Sequence, residues 1–146
     1  MQDMIKREIM INASKEKIYA AIANPELVTK WFPETLEGEY SPGHQPVFGF
    51  GEHCTSRIYV VDAKPYDYFA YRWVPGADSF VGDVLSVPNT LVEFQIAQES
   101  ADLCKITLIE SGFTQLPAEV MESAIMQNIK GWDFMLDRLE NYIKAA

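Results

Sequence analysis

Histidine and cysteine are scarce in this chain of 146 residues, which has two of each. Cys54 and Cys104 fall in separate strand-like segments, so no oxidised framework is indicated, and two reduced thiols in a cytoplasmic protein are expected. Glu52, His53 and Cys54 are three ligand-capable types in a row. Adjacent strand residues point to opposite faces, so the three cannot reach one ion, and His44 is the remaining histidine. Neither a metal nor a cofactor is expected. The same geometry argues against a nucleophilic pair at Cys54 and His53, and Cys104 has no evident base. A phosphate loop, a dinucleotide fingerprint and a serine-centred elbow are all missing.

Positive charge is also short. Twelve Lys and Arg stand against 21 Asp and Glu, a net charge of −9 with no basic run. Such a surface repels a phosphate backbone, so no nucleic-acid partner is expected. No apolar run approaches the ~18 residues that span a bilayer, which removes a membrane helix. Asp3, Lys6, Arg7 and Glu8 stand where a signal peptide needs its apolar core, so secretion is not indicated. There is no internal repeat, low-complexity tract or linker, and residues 1–146 are expected to form a single domain. A chain of this size buries roughly 70% of its unfolded surface, enough for a core without a metal or disulfide.

The strongest pattern present is at the C-terminal end, over residues 117–146. Met121, Ile125, Ile129, Trp132, Leu136, Leu139 and Ile143 recur at three- and four-residue spacing, while Glu119, Glu122, Gln127, Lys130, Asp133, Asp137, Glu140 and Lys144 take the other side. This predicts one long amphipathic helix, with Pro117 in its first turn. At the other end Ile5, Ile9 and Ile11 alternate over a strand at 4–12. Ser14 then caps a short helix carrying Ile18, Tyr19 and Ile22. Asn24 and Pro25 start a second helix, which carries Leu27, Val28, Trp31 and Phe32 and ends at Pro33.

Between these ends the pattern is that of strands, at 36–40, 47–50, 53–62, 68–74, 90–97 and 103–111, joined by short turns. Gly49 and Gly51 suggest a bulge or sharp bend. Residues 75–89 form either a long binding loop or lid, or an extra edge strand or short helix near 79–87. A long helix after an antiparallel meander must bury its stripe against the sheet, an α+β arrangement.

This order of elements resembles the helix-grip fold of the START-like (SRPBCC), birch-pollen-allergen-like superfamily. The strings that carry the resemblance span nearly the whole chain. They are 5–12 followed by Ala13-Ser14-Lys15-Glu16-Lys17-Ile18-Tyr19, Asn24-Pro25-Glu26-Leu27 through Trp31-Phe32, Pro42-Gly43 before Phe48, 57–62 into 68–73, Glu110-Ser111-Gly112-Phe113, and Gly131-Trp132 before Leu136 and Leu139. The first two look like that superfamily's opening strand and helices, and the last four are similar to the activator-of-heat-shock-chaperone-ATPase homologue branch, with His44 standing where that branch usually has a second glycine. The resemblance implies a curved antiparallel sheet of about six or seven strands wrapped around the C-terminal helix. It also implies an internal cavity between them, which in many relatives binds a hydrophobic small molecule. Some relatives are enzymes, such as polyketide cyclases, and others only bind or carry.

Placed on that fold, Phe69, Tyr71 and Trp73 would face the helix stripe at Trp132, and Trp31 and Phe32 would sit near the cavity mouth. Phe48, Phe94, Met121, Ile125 and Met135 complete the apolar set expected to contact a ligand. The same residues equally suit plain core. Gly131 is an anomaly inside a helix, explained by close approach to the sheet, by space for a ligand, or by simple tolerance. Glu110 alternates with Cys104, Ile106 and Leu108, so it either points inward to meet Arg57 or Arg72, where the pair would give the cavity a polar anchor and make Glu110 a ligand-binding residue, or is turned to solvent by a bulge. The reading adopted is non-catalytic binding of a hydrophobic small molecule. The alternatives are a cyclase- or dehydratase-type enzyme using Glu110 and Tyr71, and a co-chaperone-like module. The partner classes left open are an apolar ligand, a chaperone, and a second copy of this chain.

Overall fold

The computed structural model describes residues 3–51, 54–76 and 79–145. Strand β1 (Met4–Ile11) leads into helices α1 (Lys15–Ala23) and α2 (Pro25–Val28). Both caps form as their residue types predict. Ser14 Oγ accepts the Lys17 N–H at 3.1 Å, and Asn24 Oδ1 accepts the Glu26 N–H at 2.9 Å. The second helix is shorter than its apolar pattern suggests and stops at Val28. The Lys30 N–H bonds to the Leu27 carbonyl, three residues back, which tightens the last turn and swings Trp31 inward. There the Trp31 indole N–H donates to the Ala21 carbonyl at 2.8 Å.

The remaining strands are β2 (Thr35–Glu37), β3 (Val47–Gly49), β4 (Thr55–Lys64), β5 (Tyr68–Trp73), β6 (Ser79–Phe80), β7 (Thr90–Ser100) and β8 (Leu103–Ser111), followed by helix α3 (Ala118–Ala145). Antiparallel neighbours run in the order β1-β8-β7-β5-β4-β3-β2, and the two-residue β6 pairs in parallel with β4. This is an α+β helix-grip fold with an eight-stranded sheet. Gly51, at φ +101°, makes the bend expected near it, whereas register shifts in the sheet fall between Val60 and Asp62 on β4 and between Gln98 and Ser100 on β7. Pro117 lies just before α3 rather than inside its first turn, and its carbonyl accepts the Val120 and Met121 N–H groups.

Over 75–89 the second sequence alternative holds, since β6 is followed by a short 3-10 turn at Val84–Ser86. The turn is pinned by polar side chains. Gln45 bonds the Asp83 carboxylate and the Val84 N–H, and Asn89 donates to the Val84 and Val87 carbonyls.

Helix α3 buries Ala124, Ile125, Trp132, Leu136, Leu139 and Ile143 against the sheet, with Met121 and Ile129 half-buried beside them. Trp31, Phe48, Phe69, Tyr71, Phe94 and Phe113 fill the interior between helix and sheet. Each such ring contributes on the order of 2 kcal/mol through lost contact with water. Among the described residues no helix is long and apolar enough to cross a membrane.

Candidate functional site

Glu110 closes the inward row of β8 after Cys104, Ile106 and Leu108, and its exposure is 0%. Four side chains from three other elements converge on its carboxylate. Trp73, at the end of β5, donates its indole N–H to Oε2 at 2.8 Å, and Thr90, its cross-strand partner on β7, donates its hydroxyl to the same oxygen at 2.6 Å. From α3, Trp132 donates its indole N–H to Oε1 at 2.7 Å. Asn128, one helical turn earlier, donates its amide at 2.9 Å to Oε1 and 3.1 Å to Oε2. Trp and amide N–H groups only donate, so this arrangement suits the acceptor-only, ionised carboxylate.

Neither arginine considered from the sequence is a partner. Arg57 donates to the Val81 carbonyl at 2.5 Å and Arg72 to Asn89 Oδ1 at 3.0 Å. Glu110 is not turned to solvent by a bulge either, because its pairing with Val92 and Ile5 is regular. Neutral donors replace the water that the buried carboxylate has lost, so no cation is needed to hold it.

Three of these donors, Trp73, Asn128 and Trp132, also line a partly open pocket of about 220 Å³. Phe32, Phe50, Val74, Pro75, Gly76 and Met135 supply most of the rest of the wall, with Cys54, Ser56 and Gln127 as polar points and Gly131 on the helix side. The rings are in mutual contact. Centroid separations are 5.3 Å for Phe32 and Trp132, 5.4 Å for Phe32 and Phe50, and 5.6 Å for Trp73 and Trp132. A Cβ on Gly131 would meet nothing within 4 Å, so close approach of helix to sheet does not explain this glycine. It leaves open space beside the pocket instead. A broader depression of about 460 Å³ near Tyr19, Tyr40 and Phe69 is more open.

A family model described as activator of Hsp90 ATPase homolog 1-like protein matches residues 12–144. The chain belongs to that family. Among solved structures of this fold, DynU16, described as a protein in the dynemicin biosynthetic locus, superposes with a TM-score of 0.77 at 23% identity over 99% of this chain. This chain spans 48% of DynU16's length. MLL2253 from Mesorhizobium loti gives 0.77 at 16% identity, covering 98% of both chains. The Aha1 dimer from Colwellia psychrerythraea gives 0.67 at 19% identity, covering 95% of this chain and 97% of that one. At these identities the likeness is one of fold. No curated protein sequence matches the chain.

Of the residues singled out in the sequence, Phe32, Trp73, Trp132 and Met135 lie together on the pocket wall, with Glu110 directly behind it. Trp31, Phe48, Phe69, Tyr71, Phe94 and Ile125 lie in the packed interior, and Met121 is half-buried along its edge. Tyr71 is in the core and not on the pocket wall. Its hydroxyl has no hydrogen-bond partner among the described residues, and burial pushes the phenol well above its ordinary pKa, with the neighbouring Tyr40 and Glu110 adding to the effect. Glu52 and His53 lie outside the described residues.

Sequence reasoning missed Asn128 and Thr90 as partners of Glu110. Both carried a signal. Asn128 is a polar residue four positions before Trp132 on the apolar side of α3, and Thr90 occupies the inward row of Val92, Phe94 and Ile96. Phe50, Cys54 and Gly76 reach the pocket through the sheet's bend and loop geometry, which has no sequence period, while Ser56 comes from β4 and Gln127 from α3 beside Asn128.

Proposed function

We propose that this chain binds a small apolar organic molecule, without transforming it, in the pocket framed by Phe32, Phe50, Trp73, Trp132 and Met135. The observation that carries the reading is the pocket itself, an aromatic-walled space at the junction of sheet and helix where Gly131 withholds a side chain. Drug-sized ligands usually occupy roughly 300–1,000 Å³. A space of about 220 Å³ therefore suits a single substituted ring or the anchoring end of something larger. The fold and family support the reading, as does the contiguity of the rings. Residues 1–146 would act as one helix-grip domain, in the cytoplasm given the charge and the two free thiols.

The cyclase-type alternative has less support. The oxygens of Glu110 are engaged by donors, and Tyr71 is buried away from the pocket. A second reading, interaction with a chaperone ATPase, draws on the family description and on Met126 and Phe134, both exposed on α3. A second copy of this chain is the other partner proposed.

The test is native mass spectrometry and calorimetry with a panel of small aromatic compounds on the wild type and on Gly131→Phe, whose ring enters the open space. Binding that is present in the wild type and lost in a folded Gly131→Phe supports the reading. No binding to the wild type across the panel overturns it. Chaperone ATPase stimulation that survives in Gly131→Phe favours the second reading.

A further inference from the structure

We infer that the pocket is selective for organic cations, preferring a ligand with an ammonium-type charge on an apolar body over its neutral or anionic counterpart. The inference rests on the binding reading above and specifies the class of ligand.

Three observations lead to it. First, Glu110 is completely buried, and among the described residues every hydrogen bond to its carboxylate comes from a neutral group, two indoles, one amide and one hydroxyl. Its charge is solvated but not cancelled. Neither Arg57 nor Arg72 reaches it, and none of the ion pairs found among the described residues includes it. A negative charge thus lies one side chain behind the pocket, beneath Trp73, Asn128 and Trp132, in a region of low dielectric where its field is weakly screened.

Second, the wall presents four aromatic side chains, Phe32, Phe50, Trp73 and Trp132. Aromatic faces attract cations, and tryptophan does so most strongly. With their N–H groups committed to Glu110, both indoles can offer a ligand only ring carbon. Donation to a carboxylate polarises an indole so that its ring becomes more electron-rich, and the two effects reinforce each other.

Third, among the described residues the pocket wall carries no formal charge. Among the described residues the lining has no Lys or Arg to repel a cation and no Asp or Glu to bind it as a surface ion pair. Recognition would come from ring faces in front and a fixed carboxylate behind. A carboxylate or sulfonate ligand would meet the unbalanced charge of Glu110 with no positive partner. A neutral ligand would gain the apolar contact but not the electrostatic part.

Cys54 provides a direct readout, because it is exposed on the pocket wall while Cys104 is buried. The rate of Cys54 alkylation by uncharged iodoacetamide is followed in the presence of phenyltrimethylammonium, its neutral isostere tert-butylbenzene, and benzenesulfonate. The expected result is protection by the cation at a concentration at least ~5-fold lower than by the neutral compound, the scale of a partly exposed cation–π contact, and no protection by the anion. Equal or better protection by tert-butylbenzene overturns the cation preference and leaves the apolar pocket standing. Failure of all three to protect a reactive Cys54 overturns the pocket reading as well. In Glu110→Gln the cation's advantage should fall toward parity, and an unchanged ratio in the folded variant overturns the role given to Glu110. The wild-type series is decisive without any variant, so misfolding of Glu110→Gln does not shelter the proposal. Phe50→Leu supplies a second check, weakening the cation more than the neutral isostere.

Discussion

Trp132 donates its indole N–H to Glu110 at 2.7 Å, joining the middle of α3 to the end of β8's inward row. Trp73 binds the same carboxylate from β5 at 2.8 Å, so one acidic side chain fixes two pocket-wall indoles that come from different elements. Helix, sheet and pocket wall are therefore mechanically coupled through a single buried group. That coupling makes Glu110 structural first, and the cation preference inferred above adds its buried charge to the rings it holds.

Removing the carboxylate should be severe. Glu110→Ala strands two indole N–H groups, the Asn128 amide and the Thr90 hydroxyl in the interior. A loss of about 3–5 kcal/mol is expected, in the range for disrupted buried polar networks. Glu110→Gln keeps the shape but sets an N–H₂ group against donors, and should lose about 1–3 kcal/mol. Urea denaturation of both variants measures this. A loss below ~1 kcal/mol for Glu110→Ala would contradict the network.

Gly131→Ala should stabilise the protein. The glycine sits well inside α3, and the added methyl meets nothing within 4 Å. Helix propensity then predicts a gain of about 0.5–1 kcal/mol, seen as a rise of a few degrees in Tm for a domain this size. A fall in Tm would mean that the helix needs the glycine for packing.

Asp3 should contribute stability that depends on pH. The Thr114 hydroxyl donates to its carboxylate at 2.6 Å and the Thr114 N–H at 3.0 Å, and these bonds hold its pKa below the ordinary 3.8. A carboxyl depressed in the folded state stabilises above its unfolded pKa, and the contribution fades as pH falls below that value. The stability gap between wild type and Asp3→Asn should stay level from neutral pH down toward about 4 and then narrow in acid. Parallel curves across that range would show that the Thr114 bonds have no linkage to folding.

The two thiols should behave differently. Cys54 is exposed, whereas Cys104 is buried and burial pushes its thiol above the ordinary pKa, with Lys15 opposing. Native alkylation should add one label, at Cys54, and a second only after denaturation, as read by intact mass and peptide mapping. Rapid labelling of Cys104 in the native protein would place it nearer the surface than the structure does.

Local chemistry determined much of this molecule. The caps at Ser14 and Asn24, the alternation of β4, β5, β7 and β8, and the stripe of α3 all follow from side chains reading their nearest neighbours at periods of 2 or 3.6 residues. The helix-grip order was legible for the same reason. The packing of Trp31, Phe48, Phe69, Tyr71 and Phe94 into a filled interior, while Phe32, Trp73 and Trp132 border open space, was not. Whether a ring meets another ring or a void depends on contacts between residues far apart in the chain, and apolar periodicity is the same in both cases. The fate of Glu110 was decided in the same way. Alternation left it inward or outward, and the four donors that make the inward position tenable arrive from β5, β7 and α3 only when the sheet closes on the helix.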